Sequence, residues 1–343
     1  MNVDDHIDPL TRLAIRHGTD KWGPHFYTPI YHELLAPLRD RPVKLLEIGV
    51  GGYGFRKIGG ASLAMWADYF QWGTIIGLDV AEKQLSLGPR VTVLQGSQGD
   101  PGFLAKLATE QGPFDVVIDD GSHVAEHVAL SFNKLFPAVV DDGYYIIEDV
   151  QTAFWPAYGG SPNGGGETLR LAQAILEGLN HVEVRAAAAN WSPMPGTDRI
   201  KSFRAYHNVF VIQKGDNSEP STQNIDGSNS YVISALSMIE REMARAPTAA
   251  GLTHLALMYS LMGQNQRAFQ IIQQGLAAWP QDLRLLSLGS RVAGHLGDVT
   301  TQIKLLERAV AIDPADQVLV TMLRRAQEAP NPVSEPISQP ASN

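Results

Sequence analysis

The sequence predicts an α/β protein with a doubly wound, mostly parallel sheet of seven strands, followed by a small all-α domain. Between about residues 43 and 214, short apolar runs rich in β-branched residues alternate with amphipathic stretches. This order is typical of a parallel sheet covered by helices on both faces. A glycine-rich turn follows the first apolar run, and near the end of the chain glycines and prolines recur every 34 residues. That period indicates a helical repeat.

Five parallel strands are predicted from the apolar runs, because these are short and look buried on both sides. They cover residues 43–50, 74–80, 91–96, 114–120 and 143–150. The helices predicted between them cover residues 62–70, 101–111 and 123–139.

The pattern changes after the fifth strand. A glycine-rich loop at 158–166 precedes a helix predicted at 167–179. Two further strands are predicted at 182–186 and 209–214, with 200–206 as an extended segment before the last one. The short connection before the last strand suits an antiparallel hairpin.

A repeat is visible in the last third of the chain. Gly263 and Gly297 are 34 residues apart, as are Pro280 and Pro314. Each glycine lies between two helical stretches and each proline closes the second, which resembles a tetratricopeptide repeat. So few repeats leave an apolar face uncovered, so we expect this region to pack on a protein partner, another subunit or the α/β domain.

These patterns divide the chain into five segments. The boundaries depend on the polar linker and on a proline-rich end that reads as disordered. The segments are an N-terminal helical segment (1–40), the α/β domain (41–214), a linker (215–229), a tetratricopeptide-like helical domain (230–327) and a disordered tail (328–343).

Composition excludes several classes of function. The net charge of −9 disfavours nucleic acid as a partner, since that would require clustered Lys and Arg. The absence of cysteine excludes disulfides, thiolate catalysis and zinc held by cysteine. No signal peptide and no apolar run near the roughly 18 residues of a membrane span are visible, so we expect a cytoplasmic protein.

The glycine-rich turn fits two cofactors. Gly49, Gly51 and Gly54 match the G-x-G-x-x-G pattern of nicotinamide dinucleotide sites. Glu47 with the first two glycines also matches E-x-G-x-G, which opens class I methyltransferases. Asp79 ends the next strand, where a carboxylate can bind ribose hydroxyls, and both cofactors use that acid. The residues predicted to bind the cofactor are Glu47, Gly49, Gly51, Gly52, Asp79 and Asp119.

Acidic residues cluster where two later strands end. Asp119, Asp120 and His123 close the fourth strand, and Glu148 and Asp149 close the fifth. In a sheet of order 3-2-1-4-5 these ends are neighbours, at the edge where open α/β sheets bind ligands. Converging carboxylates repel one another unless a cation binds them, and oxygen donors favour Mg²⁺. An alternative is that Asp120 caps a helix and that Glu148 and Asp149 are ordinary loop acids.

His123 is the candidate general base, because an imidazole can accept a proton near neutral pH. His127 lies four residues further, on the same predicted helical face, and is its rival. Either histidine could instead be a capping or packing residue.

Two aromatic groups flank these acids in sequence. Tyr27 and Tyr31 are one helical turn apart, so they either wall the site or pack a helix on the sheet. Trp155 and Tyr158 lie in the loop after Asp149, where they suit a lid over a sugar ring. We name all four as candidate substrate contacts.

Together these motifs resemble the metal-dependent sugar O-methyltransferases of macrolide biosynthesis, the family of the mycinamicin and macrocin enzymes. The resemblance covers about residues 10–214, from the Gly-Thr-Asp-Lys segment through the glycine turn and the Asp-Asp-Gly-Ser-His motif. It implies S-adenosylmethionine over residues 49–52, with Asp79 on the ribose. It also implies Mg²⁺ on Asp120 and Asp149, with Glu148 as a further candidate ligand.

The resemblance implies in addition that His123 is the general base, that the acceptor contains a sugar, and that the enzyme is a homo-oligomer. The tetratricopeptide-like extension is a departure from the macrolide enzymes. Two alternatives stay open. One is a nicotinamide-dependent oxidoreductase or epimerase, which leaves the acidic strand ends unexplained and lacks a Tyr-x-x-x-Lys pair. The other is a non-catalytic scaffold that acts through the helical repeats.

Overall fold

The computed structural model describes residues 7–188, 190–221 and 227–328. The chain divides into two compact units between Asn217 and Ser218, inside the segment predicted as a linker. Most of the tail predicted at 328–343 lies outside the described residues.

A seven-stranded sheet forms the centre of the first unit. In chain order its strands are β1 (Lys44–Ile48), β2 (Thr74–Asp79), β3 (Val91–Gln95), β4 (Phe114–Asp119), β5 (Val139–Ile147), β6 (Ile200–Tyr206) and β7 (Val209–Lys214). Their order across the sheet is β3-β2-β1-β4-β5-β7-β6. The first five strands pair in parallel, whereas β7 runs antiparallel to β5 and β6. The predicted doubly wound, mostly parallel sheet is confirmed.

Helices cover both faces of this sheet. They are α1 (Pro9–His17), α2 (Thr28–Leu35), α3 (Ala61–Tyr69), α4 (Pro101–Gln111), α5 (Ala125–Leu135), α6 (Glu167–Leu179) and α7 (His181–Ala187). Alternate strand residues enter two separate apolar clusters. Leu45 packs in the cluster that contains α1–α3, and Leu46 packs in the cluster that contains α4–α6. This period of two also decides which layer each polar residue at a strand end faces.

One predicted strand is wrong. Residues 182–186 belong to α7, and the sixth strand is 200–206 instead. The alternation in Val182-Glu183-Val184 imitates a strand, but only His181 of the segment is buried. Because the segment is not buried between two layers, the helix propensity of its Glu, Arg and Ala residues decides its local structure.

The second unit contains six helices among the described residues: α8 (Ser230–Arg245), α9 (Ala249–Leu261), α10 (Asn265–Ala278), α11 (Leu283–His295), α12 (Val299–Ile312) and α13 (Gln317–Glu328). The bounds of α11 and α12 equal those of α9 and α10 shifted by 34 residues. Gly263 and Gly297 lie between the helices of each pair with φ of 74° and 75°. The repeat predicted from the glycine spacing is therefore present in the backbone.

A membrane-spanning helix was not expected. Across the described ranges, every helix is too short or too polar to cross a bilayer.

Candidate active site

A cavity of about 980 Å³ opens at the carboxyl ends of β1, β2 and β4. Its walls include the turn at 49–54, the segment at 96–99 after β3, and the loop at 120–123 after β4. The predicted cofactor residues Gly49, Gly51, Gly52 and Asp79 line it. Glu47 and Asp119 do not, because each is buried within the layer that its strand face points to.

The glycine turn is held by the acid that ends β2. The Asp79 carboxylate accepts hydrogen bonds from the N–H groups of Val50 at 3.1 Å and of Ala81 at 2.8 Å. Gly49 has a φ of 92° and lies against the loop after β4, where a Cβ atom would be 2.0 Å from the carbonyl oxygen of Asp120. The turn and the acidic loop are therefore packed backbone against backbone.

Gly49→Ala is expected to destabilise the protein by at least about 3 kcal/mol, because it combines a strained backbone with an overlap that only backbone movement can relieve. The matched control is Gly54→Ala in the same turn, where no atom lies within 4 Å of the added carbon. That control is expected to change stability by less than about 0.5 kcal/mol. Urea unfolding measures both, and equal midpoints would contradict the close packing of Gly49 on Asp120.

The loop after β4 is not part of the next helix. His123, the start of the predicted helix, has a φ of 56°, so α5 begins only at Ala125. Gln98 braces this loop from the cavity wall: its amide N–H donates to Asp119 at 2.6 Å, and its carbonyl accepts the Ser122 N–H at 2.9 Å. Gln98 was not predicted as a site residue, because it belongs to no motif.

Asp119 faces the α4–α6 layer. It also accepts a hydrogen bond from the Tyr145 hydroxyl at 3.3 Å, and burial raises the pKa of Asp119 to about 7. In this position it supports the loop from below the cavity floor.

Asp120, His123 and Asp149 form the cluster that faces the cavity. One candidate ligand atom from each lies within 4.8 Å of the others. His123 Nε2 lies 4.0 Å from Asp120 Oδ1 and 3.7 Å from Asp149 Oδ2. Two carboxylate oxygens beside one imidazole suit a hard divalent cation.

The second oxygen of each of these carboxylates is held by the protein. Lys21 Nζ donates to Asp120 Oδ2 at 2.9 Å, and the Tyr27 hydroxyl donates to Asp149 Oδ1 at 2.7 Å. Burial alone would raise the pKa of Asp149, but the bond from Tyr27 and the nearby His123 together lower it. Each acid therefore keeps its other oxygen on the side of His123.

Lys21 is a buried cation among the acids. Its ammonium lies 2.6 Å from Glu148 Oε1 and 3.2 Å from Glu47 Oε1, and its side chain is 1% exposed. Burial by itself lowers the pKa of Lys21, but Asp120, Glu148 and Glu47 raise it well above the ordinary value. Lys21 thus supplies one of the positive charges that the acidic cluster requires. It was not predicted as a site residue.

Glu148 is separated from the cavity. Its carboxylate is buried, accepts hydrogen bonds from Lys21 and from the Tyr31 hydroxyl, and does not line the cavity. Neither Tyr27 nor Tyr31 lines the cavity, and the hydroxyl of each donates to an acid instead, Tyr27 to Asp149 and Tyr31 to Glu148.

His25 was also missed. It lines the cavity, stacks on Tyr27 with ring centroids 4.7 Å apart, and places Nδ1 3.7 Å from Asp149 Oδ1. The only indication in the sequence was its place in the run His25-Phe26-Tyr27.

The other two predicted aromatic residues, Trp155 and Tyr158, do not line the cavity either, although Tyr158 lies beside His123. The Tyr158 ring is 6.5 Å from the His123 ring, and half-exposed Trp155 is 6.0 Å from Tyr158. The rival base His127 also lines the cavity, but its Nδ1 pairs with the Ser122 hydroxyl at 2.9 Å. It lies outside the cluster of possible metal ligands.

Comparison with known proteins gives close relatives, although no protein-family model matches the chain. The chain is 43% identical over 214 residues to 8-demethyl-8-alpha-L-rhamnosyl tetracenomycin-C 2'-O-methyltransferase of Streptomyces olivaceus. This match covers 62% of this chain and 56% of the relative. The chain is also 42% identical over 214 residues to demethylmacrocin O-methyltransferase of Streptomyces fradiae. This match covers 61% of this chain and 54% of that enzyme.

A solved structure is similar as well. The MycE methyltransferase from the mycinamycin biosynthetic pathway, in complex with Mg and SAH, is 38% identical with a TM-score of 0.60. The match covers 67% of this chain and 60% of MycE. These relatives confirm the predicted resemblance, and the sheet is that of a class I methyltransferase. The chain spans about half the length of the curated relatives it matches.

Proposed function

We propose that this chain is an S-adenosylmethionine-dependent, Mg²⁺-assisted O-methyltransferase that acts on a sugar hydroxyl of a glycosylated natural product or glycan. The observation that carries the proposal is the Asp120–His123–Asp149 cluster on the wall of the glycine-turn cavity. The names of the relatives, which are O-methyltransferases, support the same reaction. None of these comparisons supports the nicotinamide or scaffold alternatives.

The cavity suits the methyl donor together with an acceptor sugar. Its volume of about 980 Å³ is at the upper end of ligand pockets. Gly49, Gly51 and Gly52 would bring the backbone close to the donor, and Asp79 would bind its ribose. Glu47 and Asp119 would act indirectly, by holding Lys21 and the loop after β4.

The oxygens that face His123 are suited to hold Mg²⁺. We infer that Asp120 Oδ1 and Asp149 Oδ2 are ligands, since the other oxygen of each acid is bound by Lys21 or Tyr27. Glu148, also predicted as a ligand, would instead support Asp120 through the shared Lys21. When bound, Mg²⁺ would stabilise the deprotonated form of an acceptor hydroxyl.

His123 would take the proton from the acceptor. The hydroxyl oxygen attacks the methyl carbon, the bond from that carbon to sulfur breaks, and the electron pair stays on sulfur as S-adenosylhomocysteine forms. His123 Nε2 receives the hydroxyl proton, and Asp149 at 3.7 Å stabilises the resulting imidazolium. Tyr158, beside His123, and Trp155, beside Tyr158, would offer their ring faces to the sugar.

The proposal is tested by titrating the chain with S-adenosylhomocysteine and NAD⁺ in a calorimeter, then assaying transfer to a panel of rhamnosides and demethylmacrocin. We expect binding of the first ligand alone and a product heavier by one methylene. Binding of NAD⁺ instead, or of neither ligand, would overturn the proposed function.

His123→Ala is expected to lower kcat by about 10²–10⁴-fold, the usual contribution of a general base, with little change in affinity for S-adenosylhomocysteine. His127→Ala is the matched control, with kcat expected within about threefold because that ring is paired with Ser122. Steady-state kinetics and calorimetry separate the two effects. A larger loss of kcat in His127→Ala would reassign the base.

Three further expectations stay predictions: a homo-oligomer, a protein partner for the helical repeats, and a cytoplasmic location. The second unit supports the second of these, because so short a repeat array leaves apolar side chains exposed, among them Ile233 and Met238.

A further inference from the structure

The glycine turn continues into a loop that is built around a buried ammonium. The Lys83 side chain is 0% exposed. Its Nζ donates to the carbonyl oxygens of Gly51 and Tyr53, both at 2.6 Å, and lies 3.3 Å and 3.4 Å from those of Phe55 and Ile58. Asp79 is farther away, at 4.0 Å, so the backbone of the loop is the main partner of this cation.

The backbone of the loop is strained in a way that these contacts explain. Gly51 and Gly52 both have a φ of 71°, and Tyr53 follows with a φ of 49°. The left-handed region is unfavourable for a non-glycine residue such as Tyr53, because its Cβ atom lies too close to the following carbonyl oxygen. Hydrogen bonds to an ammonium are among the strongest available to a carbonyl, so Lys83 can hold Tyr53 in this conformation.

The direction of the carbonyls also decides where the neighbouring donors point. In a trans peptide the C=O of one residue and the N–H of the next point in opposite directions. The N–H groups of Gly52 and Gly54 therefore point away from Lys83. Both glycines line the cavity, and within the described part of the chain neither N–H has an acceptor. Free backbone N–H groups in a turn can form a concavity that binds anionic oxygen atoms.

We propose that Lys83 is a positioning residue for the methyl donor: it holds the carbonyls of Gly51 and Tyr53 on one side so that the N–H groups of Gly52 and Gly54 can bind the donor, whose carboxylate is the matching group. This inference rests on the proposed function. It differs from a purely structural role because it requires donor affinity, and not only stability, to depend on Lys83.

Lys83→Met is the test variant, and Lys57→Met is its control. Lys57 is an exposed lysine of the same loop, so both variants remove one charge from the same region. We expect Lys83→Met to weaken the binding of S-adenosylhomocysteine at least tenfold and to raise the KM for the donor by a similar factor. The kcat at saturating donor should stay within about threefold of that of the unaltered chain. Lys57→Met should bind S-adenosylhomocysteine with an affinity within about twofold of that of the unaltered chain.

Equal affinities of Lys83→Met and the unaltered chain would overturn the inference while leaving the proposed function standing. Failure of the unaltered chain to bind S-adenosylhomocysteine would instead refute the proposed function. These two failures are therefore distinguishable.

A second measurement covers the case in which Lys83→Met does not fold. In the unaltered chain, acetic anhydride should acylate Lys57 at least tenfold faster than Lys83, as read by peptide mass spectrometry, because the carbonyls enclose the Lys83 ammonium. Equal rates would show that the ammonium is not held by the loop and would overturn the inference.

Discussion

Asp149→Asn is expected to lower the rate of methyl transfer by about three orders of magnitude. The affinity of the variant for S-adenosylhomocysteine should stay within about threefold of that of the unaltered chain. The substitution preserves size and the bond from Tyr27, but removes the charge of an oxygen that faces His123. Stabilisation of an alkoxide by a bound divalent ion is worth several kcal/mol, and about 4 kcal/mol corresponds to this loss of rate.

Metal affinity gives the independent readout for this variant. Titration with Mn²⁺, followed by electron paramagnetic resonance, should show at least a tenfold weaker site in Asp149→Asn. Asp142→Asn is the matched control, because Asp142 is an exposed acid of β5 that pairs with Lys201. It should keep both activity and Mn²⁺ affinity. Full activity of the unaltered chain in excess EDTA, or unchanged Mn²⁺ binding in Asp149→Asn, would contradict the metal site.

Lys21→Met is expected to destabilise the protein by about 3–5 kcal/mol. Removing one partner of a buried ion pair leaves charge without compensation, and here Glu47, Glu148 and Asp120 all lose their cation. Lys106→Met, at a lysine that is 69% exposed, should change stability by less than about 1 kcal/mol. Urea unfolding measures both variants.

A double variant shows whether the carboxylates cause the loss. Glu148→Gln removes one of the charges that Lys21 compensates, so combining it with Lys21→Met should cost less than the sum of the two single changes. Strict additivity would mean that Lys21 stabilises the unit by packing alone. It would then refute the ion cluster that positions Asp120.

The fold was predictable because its signals are local. Residues 101–111 and 167–179 were predicted as helices with their observed bounds, and the five parallel strands lie within a few residues of their predicted positions. The error at 182–186 arose where three alternating residues were too few to distinguish a strand from an exposed helix. The late start of α5 depended on the left-handed His123, which periodicity does not reveal.

The site was predictable only in part. Asp120, His123 and Asp149 do lie together, because the ends of neighbouring parallel strands meet at one edge of the sheet. The residues that hold them were missed. Lys21 reaches Asp120 across 99 positions of sequence and Glu148 across 127, and Gln98 reaches Asp119 across 21. Contacts of such separation leave no periodic signal in the chain.

The sequence by itself therefore determined the order of the elements, the glycine turn and the sheet edge at which the acids gather. Each of these follows from spacing along the chain or from the rule that parallel strands share one carboxyl edge. Only the tertiary structure decided which oxygen of Asp120 and Asp149 faces the cavity. The reason is that Lys21 and Tyr27, which hold the other oxygens, come from a segment before β1 that packs on the sheet only after folding.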